Sequence, residues 1–143
     1  MLLNISKFVD WPAAKMGNAS APFVIGIWGP ETLVRDMEKV IRGKTVGSRP
    51  VLLRQVNNDA AAGECHVLFV SRGEQKRYME AAAGLARSAV LTIGESDSFA
   101  PEGGLIGLVT KDSRIQMEVN VKAAQRSGVK ISSRILRLAR VIE

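Results

Sequence analysis

The 143-residue sequence has one cysteine, Cys65, and one histidine, His66. A lone thiol cannot form an intrachain disulfide, and one thiol with one imidazole cannot supply the ligand sets of structural zinc. Taken alone, such sparing use of cysteine leans toward a reducing compartment. Aromatic residues are few, at 5%, which leaves little to stack on bases. No apolar run approaches the roughly 20 residues of a membrane span. Met1-Leu2-Leu3 is interrupted at once by Asn4 and is too short for the apolar region of an export signal. Repeats, low-complexity tracts and dividing linkers are also missing, so residues 1–143 read as a single domain.

What is present is an ordinary globular composition, 46% apolar and 24% charged, too apolar for a disordered chain. The net charge of +6 is unevenly placed. Residues 1–110 hold twelve bases and eleven acids, whereas residues 111–143 hold eight bases and three acids. An acidic partner is therefore to be sought at the last quarter of the chain.

The spacing predicts a short first helix with Leu2, Ile5, Phe8 and Val9 on one face, ended by Trp11-Pro12 because a residue before proline disfavours helical backbone. After the polar loop Gly17–Pro22, Phe23–Trp28 reads as a strand buried on both faces. Gly29-Pro30 opens a helix striped by Leu33, Met37, Val40 and Ile41 and closed by Gly43. Strands follow at Val51–Val56, Cys65–Val70 and Ala89–Ile93. Between the last two lies a helix, Glu74–Arg87, with Tyr78, Ala82, Leu85 and Ala86 facing inward. Apolar strands separated by amphipathic helices imply an α/β, Rossmann-like, mostly parallel sheet flanked by helices.

The ending differs. Leu105–Thr110 and Arg114–Val119 flank a polar turn and predict an antiparallel hairpin. In its second strand Ile115, Met117 and Val119 alternate with Arg114, Gln116 and Glu118, which predicts one solvated face. Two terminal helices complete the pattern, Val121–Ser127 and Ser132–Ile142. The second has a narrow stripe of Ile131, Ile135, Leu138 and Ile142, with Arg134, Arg137 and Arg140 opposite.

Few residues suggest catalysis. The Gly26-Ile27-Trp28-Gly29-Pro30 turn sits where dinucleotide folds hold phosphate, but it lacks the third glycine, Pro30 removes an amide donor, and Trp28 crowds the approach. Neighbours on a strand point to opposite faces, so Cys65 and His66 cannot meet as a dyad. With no second histidine, a serine triad would have to use this same His66, which reads as a satisfied core residue. Glu95, Asp97 and Glu102 read as solvated loop acids. The C-terminal arginines lie on the outer face of a helix, where charge serves solubility, so nucleic acid is not the expected partner. The expectation is a non-enzyme without metal or cofactor.

Several segments taken in order resemble one family. They are Lys7–Pro12, Phe23–Gly29, Cys65–Val70, Phe99 with Gly103-Gly104-Leu105-Ile106, Ile115–Asn120 and Ile131–Ala139. Together they span nearly the whole chain, and it is identified as resembling the YfiR/HmsC-like periplasmic family. The resemblance implies an exported, non-enzymatic α/β protein. It implies repression of an inner-membrane diguanylate cyclase through the cyclase's periplasmic region, lowering cyclic di-GMP and biofilm formation. Some relatives are instead sensor modules, so a small-ligand sensor domain is the alternative and a cytosolic nucleotide-binding domain the third reading. Well-known members carry disulfides, which Cys65 alone cannot provide. The start within the first element implies an export signal upstream of Met1.

The expected partner- or ligand-binding residues are Phe99, Gly103, Gly104, Glu118, Asn120 and Arg126. Glu118 stands on the solvated strand face, Asn120 ends that strand, and Arg126 lies on the helix that follows. The Phe99–Gly104 loop lies alongside, its glycines allowing close backbone approach and Phe99 offering an apolar anchor. If Glu118→Ala with Arg126→Ala leaves the fold and the affinity for the partner unchanged, the Arg134, Arg137 and Arg140 face takes their place. A homodimer is expected from the resemblance and from Leu2, Leu3 and Phe8 on the terminal helix.

Overall fold

Three strands buried along their whole length, β2 (Phe23–Trp28), β5 (Val67–Val70) and β6 (Leu91–Gly94), carry the unbroken apolar runs that a sheet covered on both faces requires. They form the middle of an eight-stranded sheet in a computed structural model that describes residues 2–85 and 87–142, without the Leu2 side chain. Expectations for the Ala86 and Leu2 side chains lie outside the described residues.

In chain order the elements are α1 (Leu2–Ser6), β1 (Val9–Asp10), α2 (Ala13–Met16), β2, α3 (Glu31–Ile41), β3 (Thr45–Val46), β4 (Arg49–Gln55), α4 (Asp59–Gly63), β5, α5 (Gln75–Ala81) and β6. They continue with β7 (Ile106–Lys111), β8 (Arg114–Asn120), α6 (Val121–Ser127), β9 (Lys130–Ile131), α7 (Ser133–Leu138) and β10 (Arg140–Ile142). The sheet order is β10-β8-β7-β6-β5-β2-β4-β3. Pairs β2–β4, β2–β5, β5–β6, β6–β7 and β8–β10 are parallel, while β7–β8 and β3–β4 are antiparallel. The mostly parallel, Rossmann-like sheet with a late hairpin is thus the architecture found.

Alternation within the strands divides the core in two. Phe23, Ile25, Ile27, Phe69 and Ile93 join Ile5, Val34, Ala123 and Ile135 of the helices on one face. Val24, Trp28, Leu68 and Val70 join Ala62, Tyr78, Leu85 and Phe99 on the other.

Four local expectations are corrected. The first helix ends at Ser6, and Val9-Asp10 instead pair antiparallel with Ile131 and Lys130. The helix expected over Glu74–Arg87 keeps α-geometry only over Gln75–Ala81 and tightens into a 3₁₀ run at Ala82–Leu85, where Gly84 packs against Asp59. The terminal helix stops at Leu138, and Arg140–Ile142 pair in parallel with Glu118–Asn120. Val141 and Ile142 suit a strand as well as a helix, and the open edge of β8 supplies the ladder. That added strand also changes the burial expected for β8, where alternation gives way to a gradient from exposed Arg114 and Ile115 to buried Glu118–Asn120. Glu118 is buried, whereas Ile115, beyond the reach of β10, is 57% exposed.

Candidate partner- or ligand-binding site

The loop from β6 to β7 is built around Phe99. Its ring is fully buried and lies against the backbones of Gly94 and Gly104, where a Cβ at either glycine would overlap it. Tyr78 packs on it with ring centroids 5.6 Å apart, and Trp28 on Tyr78 at 5.8 Å. Phe99 is therefore a plug under the loop, and the expectation that it offers an exposed anchor is corrected: two glycines without side chains leave its cavity in the core. The close approach expected of Gly104 is spent on this ring.

Gly103 has φ +118°, strained for any residue with a Cβ, and open space around it. It shares with Arg126 a crevice of about 240 Å³, also lined by Tyr78, Thr92 and Leu105. The Tyr78 hydroxyl pairs with Thr92, and burial raises its pKa. Thr92 Oγ1 in turn accepts the Leu105 N–H at 2.9 Å.

Asn120 couples this loop to α6. Its Oδ1 accepts the Ala123 N–H (3.0 Å), capping the helix, and its Nδ2 donates to the Ala100 carbonyl (2.8 Å). Its own N–H donates to the Leu105 carbonyl at 2.8 Å. Glu118, two residues earlier, does not meet Arg126. Its Oε2 lies 3.7 Å from the guanidinium of Arg140, while its buried Oε1 has no hydrogen-bond partner. Gly103, Arg126 and Asn120 thus share a neighbourhood around the loop, and Glu118 belongs to the sheet edge with Arg140.

His66 and Cys65 diverge as the alternation requires. The imidazole stacks on Phe23, centroids 4.9 Å apart, with Trp11 edge-on at 6.2 Å. Its Nδ1 accepts the Val24 N–H at 2.9 Å, and Nε2 lies 3.0 Å from the Lys15 carbonyl. The thiol packs in the opposite core, where burial pushes its pKa up to about 11. Such a thiol is neutral and shielded, unsuited to nucleophilic work.

Two features had no local sign in the sequence. Lys15 Nζ donates to the carbonyls of Gly63 (2.5 Å) and Ser88 (2.8 Å), pinning α2 across the sheet, and partial burial lowers its pKa. At the C-terminal ends of β5 and β6, Gln75 Nε2 donates to Ser98 Oγ (2.7 Å) while its Oε1 accepts from Ser96 Oγ. These residues rim an open crevice of about 620 Å³ with Arg72, Lys76 and Glu102. Among the described residues no cluster of three His, Cys, Asp or Glu side chains has the makings of a metal centre.

Comparison with known proteins fits this geometry into a family. One solved structure, described as the ABC domain in complex with L-Trp from Streptococcus pneumonia, aligns with TM-score 0.60 at 12% identity. The alignment covers 86% of this chain and 55% of that one, so the likeness is one of fold, and the chain spans about half the length of that neighbour. A family model described as YfiR/HmsC-like matches residues 1–140. The chain accordingly belongs to the YfiR/HmsC-like family, a family of non-enzymatic periplasmic regulators of cyclic di-GMP signalling.

Proposed function

We propose that this chain is a periplasmic binding protein that represses an inner-membrane diguanylate cyclase by engaging the cyclase's periplasmic region, so lowering cyclic di-GMP and biofilm formation. The observation that carries the reading is the family match over residues 1–140. The chemistry agrees with a binding role: the one thiol is buried with a raised pKa, and both ring nitrogens of the one imidazole are engaged by backbone. The docking neighbourhood is the loop above Phe99 and Gly104, with Gly103 and Arg126 at its crevice and Asn120 behind it, while Glu118 stands at the sheet edge with Arg140. Self-association is part of the proposal, with Phe8, 36% exposed on the N-terminal element, as its apolar contact. The test is capture of membrane proteins by the full chain in the periplasm, with cyclic di-GMP measured as the chain is supplied or deleted. Capture of a diguanylate cyclase, with cyclic di-GMP rising on deletion, is expected. Capture of none, with unchanged cyclic di-GMP, overturns the reading. Light scattering at high micromolar concentration tests the dimer, and a strictly monomeric mass refutes it.

A second reading, a small-ligand sensor, is favoured by the crevice of about 620 Å³ rimmed by Gln75, Ser96 and Ser98. Open parallel sheets hold ligands beyond the carboxyl ends of their strands, and the L-Trp-bound neighbour shares the fold. Calorimetric titration with amino acids tests it, and heat that disappears in Gln75→Ala supports it.

A further inference from the structure

One border of the sheet is left open. β10 is its terminal strand and pairs, among the described residues, only with β8, covering Glu118–Asn120. The preceding stretch of β8, Arg114–Met117, pairs with β7 on one side and, among the described residues, has no strand on the other. The border is therefore stepped, with unpaired backbone along both treads. Apolar side chains stand open on its strands, Ile115 57% and Val141 43% exposed, and Leu138, which ends α7 two residues before β10, is 84% exposed. Folded proteins blunt free edges with charge, proline or a covering loop. Arg140 supplies charge here, but a leucine so exposed two residues before it is the opposite of blunting.

Glu118 is an independent sign. Its side chain is only 8% exposed and it sits in register with Arg140 on the edge strand. Its Oε1 is buried without a hydrogen-bond partner, a costly state in the strand directly inside the edge. The charge selects the occupant. Arg114, Arg137 and Arg140 flank the border, and residues 111–143 carry eight bases against three acids. Two copies meeting edge to edge would bring these guanidiniums together, so an acidic partner is favoured over a second copy.

We propose that this border receives an extended, acidic segment of another protein as an added strand. Main-chain hydrogen bonds would give the affinity, Leu138, Val141 and Ile115 the apolar contacts, and the arginines the selectivity. The proposal rests on the reading of the chain as a partner-binding regulator and specifies the kind of segment it binds.

The test uses the full, isotope-labelled chain with two octapeptides, one alternating valine with aspartate and one alternating valine with lysine. The aspartate peptide should perturb the amides of residues 114–117 and 139–142, slow their exchange, and bind about tenfold more tightly than the lysine peptide. Arg137→Glu combined with Arg140→Glu, on exposed positions and checked by thermal unfolding, should invert that preference. Equal affinities, perturbation elsewhere, or border amides already protected by a second copy would overturn the proposal. Capture of the cyclase's periplasmic region that is unchanged in the double variant removes the border and leaves the regulator. A peptide response at the border without any cyclase capture removes the regulator and leaves the border.

Discussion

Acid should loosen this fold through His66. The ring is 5% exposed, its Nδ1 accepts the Val24 N–H and its Nε2–H donates to the Lys15 carbonyl. Only the neutral tautomer protonated at Nε2 satisfies both. A second proton at Nδ1 would face the Val24 N–H head-on. Burial, then the positive charges of Lys15 and Arg49, hold the pKa below its ordinary 6.5, against the opposing pull of the Lys15 carbonyl. The unfolded chain therefore takes up the proton more readily than the native one. This contribution is fully present above the unfolded-state value and is lost as pH falls toward the depressed folded-state value. The slope for one such group is at most about 1.4 kcal/mol per pH unit. Urea unfolding followed by tryptophan fluorescence, in unit steps from about pH 7.5 to about 5.5, gives the magnitude; His66→Gln, which does not titrate, is the reference. Wild type should lose more stability than the variant across the last step, by no more than that limiting slope. Parallel decline of the two would refute the argument.

Phe99→Ala should cost about 3–5 kcal/mol in denaturant unfolding, since it empties a fully buried ring site. Gly104→Ala should destabilise by about 1–3 kcal/mol through overlap with that ring, and Phe99→Leu in the same chain should recover part of the loss. Asn120→Ala removes both the α6 cap and the donor to Ala100, for a loss of about 1–3 kcal/mol by the same assay. With its pKa pushed up to about 11, Cys65 should resist a thiol reagent in the native protein and react at once in denaturant.

The legible parts of the fold were those with a one-segment signature. Phe23–Trp28 and Cys65–Val70 read as buried strands because a doubly covered sheet demands continuous apolar runs, and Asn120 could be placed at the entry to α6 because the alternation of β8 runs out there. What escaped depends on distant partners. β1 and β9 are two residues each and exist only through one another. β10 was hidden because Val141 and Ile142 continue a plausible helical stripe, and the strand state wins by pairing with β8. The same strand hid the fate of Glu118, whose alternating surroundings mark a solvated face until a neighbour covers it. Phe99 looked like an anchor because glycines beside an aromatic suit an exposed recognition loop and a packed plug equally. Lys15 gave no sign, since a lysine holding two remote carbonyls has the sequence of any surface lysine.

The N-terminal clasp bears on the order in which the molecule can assemble. Val9 and Asp10 pair with Ile131 and Lys130, the Ser132 N–H reaches the Phe8 carbonyl at 2.8 Å, and Trp11 Nε1 donates to the His66 carbonyl at 2.9 Å. A chain made from its first residue onward holds this segment long before its partners exist, and closing so large a loop is slow. Trp11 can settle on Phe23 and His66 early, but Phe8–Asp10 must wait until the last quarter has formed. Until then the face they cover is open to chaperones or to neighbouring chains, and a protein halted before Lys130 would keep it open for good.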